Sequence, residues 1–372
     1  MTATDILVVG GGMAGFSIAA GLARSARVLL IEQEDQPAYH ASGRSVAFWE
    51  ESYGGPGVQP LTSASGPLLA RPDPAFSEEP FLGPRGALHI GHAADRPLAD
   101  AMRDDFAASG VSMTPVGRAE LACALPGLRA DWVLGIAEPS CRDIDVAGLL
   151  AAYRRAGRRA GLEVRLGTRL EGARREAGGW LVETGAGPVR CAMLVNAAGA
   201  WADAVATRCG ARPIGITPYR RTVVQLRCPD APAALPLVAG LRGDFYFKSE
   251  VPGRLWLSPH DETPTPPCDA QPEELDVAIA IDRFEHVVNW RVLKRERAWA
   301  GLRSFTPDRA PVYGFDPGAP GFFWFAGQGG FGIQTAPAAA MLGAALLTGR
   351  PLLDAVRAID PARYRPERFN LG

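Results

Sequence analysis

Lysine is nearly missing from these 372 residues. It occurs only at Lys248 and Lys294, so arginine supplies almost all of the 39 basic side chains. The skew reads first as codon composition, but it disfavours lysine-centred Schiff-base chemistry. Cysteine is sparse and scattered, at Cys123, Cys141, Cys191, Cys209, Cys228 and Cys268. No CxxC and no His/Cys spacing suits zinc, so six reduced thiols in a cytoplasmic protein are expected. His89 and His92 lie three apart at an expected strand end. No carboxylate in the neighbouring sequence is placed to join them, so no metal is expected. The first residues run almost directly into an apolar strand, which leaves no room for a charged leader and h-region. The longest apolar stretch, Ala336 to Leu347, contains Pro337. It is shorter than the ~20 residues needed to span a bilayer. With a net charge of −1 there is no basic excess to attract nucleic acid. Internal repeats and low-complexity tracts are also lacking.

What is present begins at once. Ile6-Leu7-Val8-Val9 is followed by Gly10-Gly11-Gly12-Met13-Ala14-Gly15, then a helical pattern from Phe16 to Arg24, then Val28-Leu29-Leu30-Ile31 and Glu32-Gln33. This is strand, glycine turn, helix, strand, acid. Gly10 permits the tight turn, Gly12 lets a pyrophosphate approach the backbone, and Gly15 lets helix pack on strand. The helix N-terminus offers N–H groups and partial positive charge. Glu32, about twenty residues beyond the glycines, suits a ribose diol and disfavours a 2′-phosphate. The motif alone does not separate NAD from FAD, though its position leans toward FAD. A glycine turn that binds nothing is the bland alternative.

Further along, Tyr39-His40-Ala41-Ser42-Gly43-Arg44-Ser45 is a polar loop, and Tyr53-Gly54-Gly55-Pro56-Gly57 a turn or lid. Helices are expected at Leu61–Leu69 and at Arg96–Ser109, the latter with Leu98, Met102 and Phe106 on one face. A strand is expected at Arg85–Ile90. Asp145 is a plausible N-cap for a helix over 147–160. An apolar strand, Val189 to Val195, runs into Asn196-Ala197-Ala198-Gly199-Ala200-Trp201, small residues that suit backbone packed against a cofactor. Residues 212–300 read as strands at 218–226, 245–248, 255–258 and 295–302, with a helix at 273–288. Near the C-terminus Gly327-Gln328-Gly329-Gly330-Phe331-Gly332-Ile333-Gln334 opens a second helix. Its dipole would favour negative charge on a reduced flavin by ~0.3–2 kcal/mol.

The fold expected is α/β, a Rossmann-type FAD-binding domain interleaved with an antiparallel-sheet substrate domain. The FAD domain would comprise 1–80, 141–212 and 299–372, and the substrate domain 81–140 and 213–298. Arg303, between Leu302 and Phe305, is a charge in apolar company and hence a candidate carboxylate ligand. Arg221 is a second candidate. Arg220 is its rival, because neighbours on a strand point to opposite faces.

The chain resembles the FAD-dependent amine and amino-acid oxidoreductases, the group that includes D-amino-acid oxidase, glycine oxidase and sarcosine oxidase. Within it the likeness is greatest to the bacterial D-arginine dehydrogenases. Ser42 to Ser45, Asn196 to Trp201, Trp299 to Phe305 and Gln328 to Thr335 carry it, within a likeness spanning roughly 1–350. The resemblance implies an enzyme of amino-acid catabolism with non-covalent FAD. Gly10, Gly12, Met13, Ala14, Gly15, Glu32 and Gln33 would hold its ADP half. Ser42, Gly43, Arg44 and Ser45 would lie along the pyrophosphate and flavin, and Leu170 would meet the adenine. Ala198, Gly199 and Trp201 would pack near the ribityl chain. Gly301 and Gly329 would bind the cofactor, and Gly330, Phe331, Gly332, Ile333 and Gln334 would approach the ring. Arg221 and Arg303 would clamp a substrate carboxylate, Tyr53 and Tyr246 would bond the substrate, and Gln334 would line the pocket. Phe48 and Ala87 replace the histidine and glutamate of the dehydrogenases, so apolar or aromatic D-amino acids are expected in place of D-arginine. The electron acceptor, quinone or oxygen, is open. The rival activities are oxidation of a secondary amine or a 2-hydroxy acid, and the non-enzymatic alternative is a structural flavoprotein.

Overall fold

The apolar run after residue 5 becomes the strand Thr2–Val9, and both of its faces are covered. Continuous apolar strands of this kind belong in a parallel sheet covered on both sides. The strand pairs in parallel with Val28–Ile31 on one side and Val189–Asn196 on the other. The computed structural model describes residues 2–369. Its first sheet runs Leu170–Glu176, Gly179–Thr184, Val189–Asn196, Thr2–Val9, Val28–Ile31, Glu163–Arg165. Phe322–Ala326 joins the far end of Val189–Asn196 in parallel and carries Val312–Phe315 as an antiparallel flank. The helix Met13–Leu22 lies against this sheet, and Gly15 is the reason it lies so close. A Cβ there would fall 1.8 Å from the Gly10 carbonyl oxygen.

The second sheet has ten strands. Thr217–Arg227 is central, with Lys294–Phe305 on one side and Arg254–Ser258 on the other. Beyond Arg254–Ser258 come Tyr246–Val251, Leu237–Gly240, Ala87–Gly91, Leu134–Glu138 and Thr114–Gly117. The sheet is antiparallel except where Leu237–Gly240 meets Ala87–Gly91 in parallel. Those two strands come from separate stretches of chain, so no hairpin dictates their direction. The helix Glu274–Val287 covers one face, and Val277, Ala280, Phe284 and Val287 pack on Val224, Leu226, Leu255 and Leu257. Arg221 and Val223, at odd positions of the same strand, therefore face the other way.

Two boundaries differ from the sequence reading. The division expected between 298 and 299 falls inside the strand Lys294–Phe305, which pairs with Thr217–Arg227 from Thr217↔Phe305 to Arg227↔Lys294. Gly301 and Arg303 thus belong to the large sheet. The helix Arg96–Phe106 buries Ala99 and Phe106, while Leu98 is 44% exposed. As expected, Asp145 caps the helix Val146–Arg159, its carboxylate accepting from the Gly148 N–H at 2.8 Å.

Candidate functional site

A long cleft opens at the carboxyl ends of Thr2–Val9 and Val28–Ile31, where open α/β sheets place their ligands. Gly10, Gly12, Met13, Ala14, Glu32, Gln33, Ser42, Arg44, Ser45, Leu170, Ala198, Gly199, Trp201, Gly301, Gly329, Gly330, Gly332 and Ile333 all line it. Its floor is the N-terminus of Met13–Leu22, whose N-cap is Gly12 with no capping side chain. The Ser42 hydroxyl accepts from the Met13 N–H at 2.9 Å. Glu32 sits at the lip, accepting from the Gly11 and Glu34 N–H groups. Arg44 is a clip: its guanidinium donates to the Ala270 and Ala300 carbonyls and pairs with Asp269, tying the 39–45 loop to the large sheet.

Four expected cofactor residues do not line the cleft. Gly15 is spent on helix–strand packing. Gly43 turns against the Ala38 carbonyl, where a Cβ would sit 2.5 Å away. Phe331 is buried with Val58 and Phe305. Gln334 is 2% exposed and does not line the cleft either. Its amide nitrogen donates to the Glu50 carbonyl (3.1 Å), the Tyr53 carbonyl (3.2 Å) and the Thr62 hydroxyl (2.9 Å), and its oxygen accepts from the Glu50 N–H (3.2 Å). It is a buried strut for the segment carrying Tyr53. Conversely, Thr168, Arg169 and His40 line the cleft unforeseen. The His40 ring meets Trp201 at 4.5 Å, tilted by 47°, a contact with no local sequence signal.

Beside the cleft, the open face of the large sheet gathers the expected substrate residues. Arg303 lies opposite Tyr219, and Arg221 opposite Gly301, which puts both arginines on one face. Arg221 is 1% exposed. Its Nε donates to the Asp261 carbonyl (2.8 Å) and its Nη2 to Glu262 (3.0 Å), while Nη1 has no partner among the described residues. Burial lowers its pKa, and the charge on Arg303 adds to that. The Tyr246 hydroxyl is buried within reach of the Arg303 guanidinium. The Tyr53 hydroxyl and Arg303 Nε converge over Gly330, where a Cβ would collide with the former and lie 3.1 Å from the latter. Phe48 packs between Tyr53 (5.4 Å) and Tyr246 (5.9 Å). Arg220 turns to the opposite face, held by Glu273 and Asp276.

The sequence reading of His89 needs correction. Two carboxylates do meet it from distant parts of the chain, Glu138 at the end of a strand and Glu50 in the irregular segment after Phe48–Trp49. His89 Nε2 lies 3.1 Å from Glu50 Oε1 and 3.7 Å from Glu138 Oε2, and the three residues are buried. Burial alone would lower the imidazole's pKa, but the two glutamates outweigh it and push it up to about 9. His92 stands apart, stacked on Trp132 at 4.1 Å.

The family described as "FAD dependent oxidoreductase" matches residues 5–346. The chain belongs to this family. FAD is accordingly its cofactor, and the cleft fits it: a helix N-terminus with a glycine at its N-cap, glycine backbone and an acid at the ribose position. The chain is 25% identical over 98% of its length to the bifunctional protein ThiO/ThiG of Synechocystis, covering 54% of that protein. It is 25% identical over 97% of its length to rat mitochondrial dimethylglycine dehydrogenase, covering 45% of it. It is 27% identical over 51% of its length to glycine oxidase of Pseudomonas aeruginosa, covering 52% of it. The chain thus spans about half the length of these relatives. In fold it is similar to L-proline dehydrogenase from P. horikoshii (TM-score 0.86, 22% identity, 99% of this chain and 98% of that one). Glycine oxidase from Geobacillus kaustophilus is similar too (TM-score 0.84, 22% identity, 98% of each chain). Among the described residues no helix is long and apolar enough to cross a membrane.

Proposed function

We propose that the protein oxidises D-amino acids with apolar or aromatic side chains to imino acids, which water converts to 2-oxo acids and ammonia. One observation carries the reading. Arg221 and Arg303 share one face of the large sheet, Arg303 lines the cleft, and the buried Arg221 Nη1 there has no partner among the described residues. Buried donors left unpaired call for an acceptor, and a carboxylate supplies two oxygens in the geometry a guanidinium fork prefers.

Bound FAD supplies a two-electron acceptor for the hydride leaving the α-carbon. The residues of this chain do the rest. Arg221 and Arg303 hold the carboxylate, and Tyr53 and Tyr246 orient the amine end. The amine reacts unprotonated, so that its lone pair forms the C=N bond as the hydride leaves. His260, 5.7 Å from Tyr246, is too weak a base to assist: burial and the Arg221 charge hold its pKa down to about 3. Positioning therefore supplies most of the barrier reduction, for which effective molarities allow up to ~7–11 kcal/mol. The D stereochemistry and the non-covalent state of FAD rest on the sequence resemblance. No cysteine lines the cleft among the described residues, so acid precipitation is expected to release the flavin.

A second reading, oxidation of an N-alkyl amino acid or imino acid, is favoured by the alignment with dimethylglycine dehydrogenase over 97% of this chain. Anaerobic flavin bleaching against D- and L-amino acids, N-methyl amino acids, proline and 2-hydroxy acids decides between them. D-Leu or D-Phe should bleach fastest and D-Arg slowly. A preference for D-Arg would overturn the side-chain assignment, and bleaching by none of the panel would leave a structural flavoprotein.

A further inference from the structure

The segment that carries Tyr53 has little regular structure of its own. Between the two-residue strand Phe48–Trp49 and the helix Gln59–Ala70 it is turns, with Gly54 and Gly55 at φ 99° and 73°. A stretch like this is fixed only by what it is tied to. Gln334 ties it from the cofactor side. From the substrate sheet, Glu138 accepts from the Glu51 N–H (2.8 Å) and the Ser52 hydroxyl (2.6 Å). Glu50, 3% exposed, meets His89 at 3.1 Å. Strand register places His89 beside Ala239, Ala239 beside Tyr246, and Glu138 beside Ala87. The cluster is therefore on the same sheet face as Tyr246 and Arg221.

Two buried glutamates at this distance need a cation or a proton. Lys248 stacks on Trp256 in the same region but is engaged by Asp143 (2.7 Å) and the Ala47 carbonyl (3.0 Å). Cys141, buried between these groups, has its thiol pKa pushed well up by burial and then by Glu50, and so stays neutral. Burial raises the Glu50 carboxyl pKa and His89 opposes that rise, while Glu138 is held low against its own burial by His89 and Ser52, so the imidazole placed between the two carboxylates carries the charge.

We propose that His89, as an imidazolium bridging Glu50 and Glu138, is a positioning residue that fixes the Glu50–Tyr53 segment and so sets the Tyr53 hydroxyl against Arg303. This rests on the reading of Arg221 and Arg303 as a carboxylate clamp. None of the three lines the cleft, and the cluster acts through Tyr53.

A double-mutant cycle on the FAD-loaded protein tests it, reading KM and kcat for the best amino acid and the Kd of benzoate from the flavin spectrum. Glu138→Gln should raise KM and the benzoate Kd about tenfold, with kcat and FAD content little changed. In a Tyr53→Phe background the same change should have about no further effect. His89→Leu should behave like Glu138→Gln, while His89→Gln, which keeps a donor, should recover most of the loss. The wild-type benzoate Kd should weaken as pH passes about 9, and the His89→Gln value should not. Additive effects in the cycle overturn the proposal, as do an unchanged Kd in Glu138→Gln or a stoichiometric divalent metal in the purified protein. Should Glu138→Gln fail to fold, Ser52→Ala runs the same cycle. A wild type that binds no carboxylate sinks the clamp itself, whereas one that binds benzoate but gives an additive cycle sinks only the positioning role.

Discussion

Among single residues, Arg303 and Arg221 make the sharpest prediction. Truncating one member of a desolvated charge pair costs about 2–5 kcal/mol. Arg303→Ala should therefore lower kcat/KM by about a hundredfold or more, while FAD remains bound. Near-normal turnover would reject the clamp. His260 reports on the same charges from the side. Because Arg221 and Arg303 both depress it, a bound carboxylate should let its pKa rise, visible as a shifted imidazole titration by NMR on adding benzoate. No shift would mean that the anion binds elsewhere. The two arginines were legible because a charge in an apolar strand stands out, and alternation alone posed the choice between Arg220 and Arg221. Glu50, His89 and Glu138 were not legible. Their meeting depends on two strands of the large sheet and an irregular segment distant in the chain, and each looks ordinary among its own neighbours.

At the level of elements, the glycine turn and its helix were read directly, because strand, turn and helix are contiguous there. Gly15→Ala is the matching test. Its Cβ would overlap the Gly10 carbonyl oxygen, a backbone atom that cannot step aside. The variant should purify with little flavin, measured as the 450 to 280 nm absorbance ratio, and retention of full FAD would show that the helix has room to shift. The second glycine-rich loop was read less well. Its residues were assigned to the cofactor as a block, but the structure divides them. Gly329, Gly330, Gly332 and Ile333 face the cleft, while Phe331 and Gln334 turn inward to hold the segment around Tyr53. Spacing alone does not tell which side of an irregular loop faces inward. The 299–372 segment failed for a related reason: Lys294–Phe305 serves both domains, and a boundary drawn by function cut through it.

For the molecule as a whole, the two shifted histidines bracket the pH range of greatest stability. His89 has its pKa raised to about 9, so its stabilising contribution is complete below the ordinary histidine value and is lost as pH rises through about 9. His260 is lowered to about 3, so its contribution is complete above the ordinary value and is lost as pH falls from there toward 3. Melting temperature against pH should therefore decline on both sides of neutrality, and His89→Gln should flatten the alkaline side. An unchanged alkaline limb in that variant would show that the imidazole carries no charge in the folded protein. The strand Lys294–Phe305 has a consequence of its own. It carries Gly301 along the cofactor cleft and Arg303 at the clamp, two residues apart, about 7 Å along an extended chain. Under the proposed function, the spacing between the cofactor cleft and the clamp would be set by a built-in ruler, with no hinge in between. Substrate preference is then free to drift through replacements at Phe48 or Ala87, since neither alters the length of that ruler.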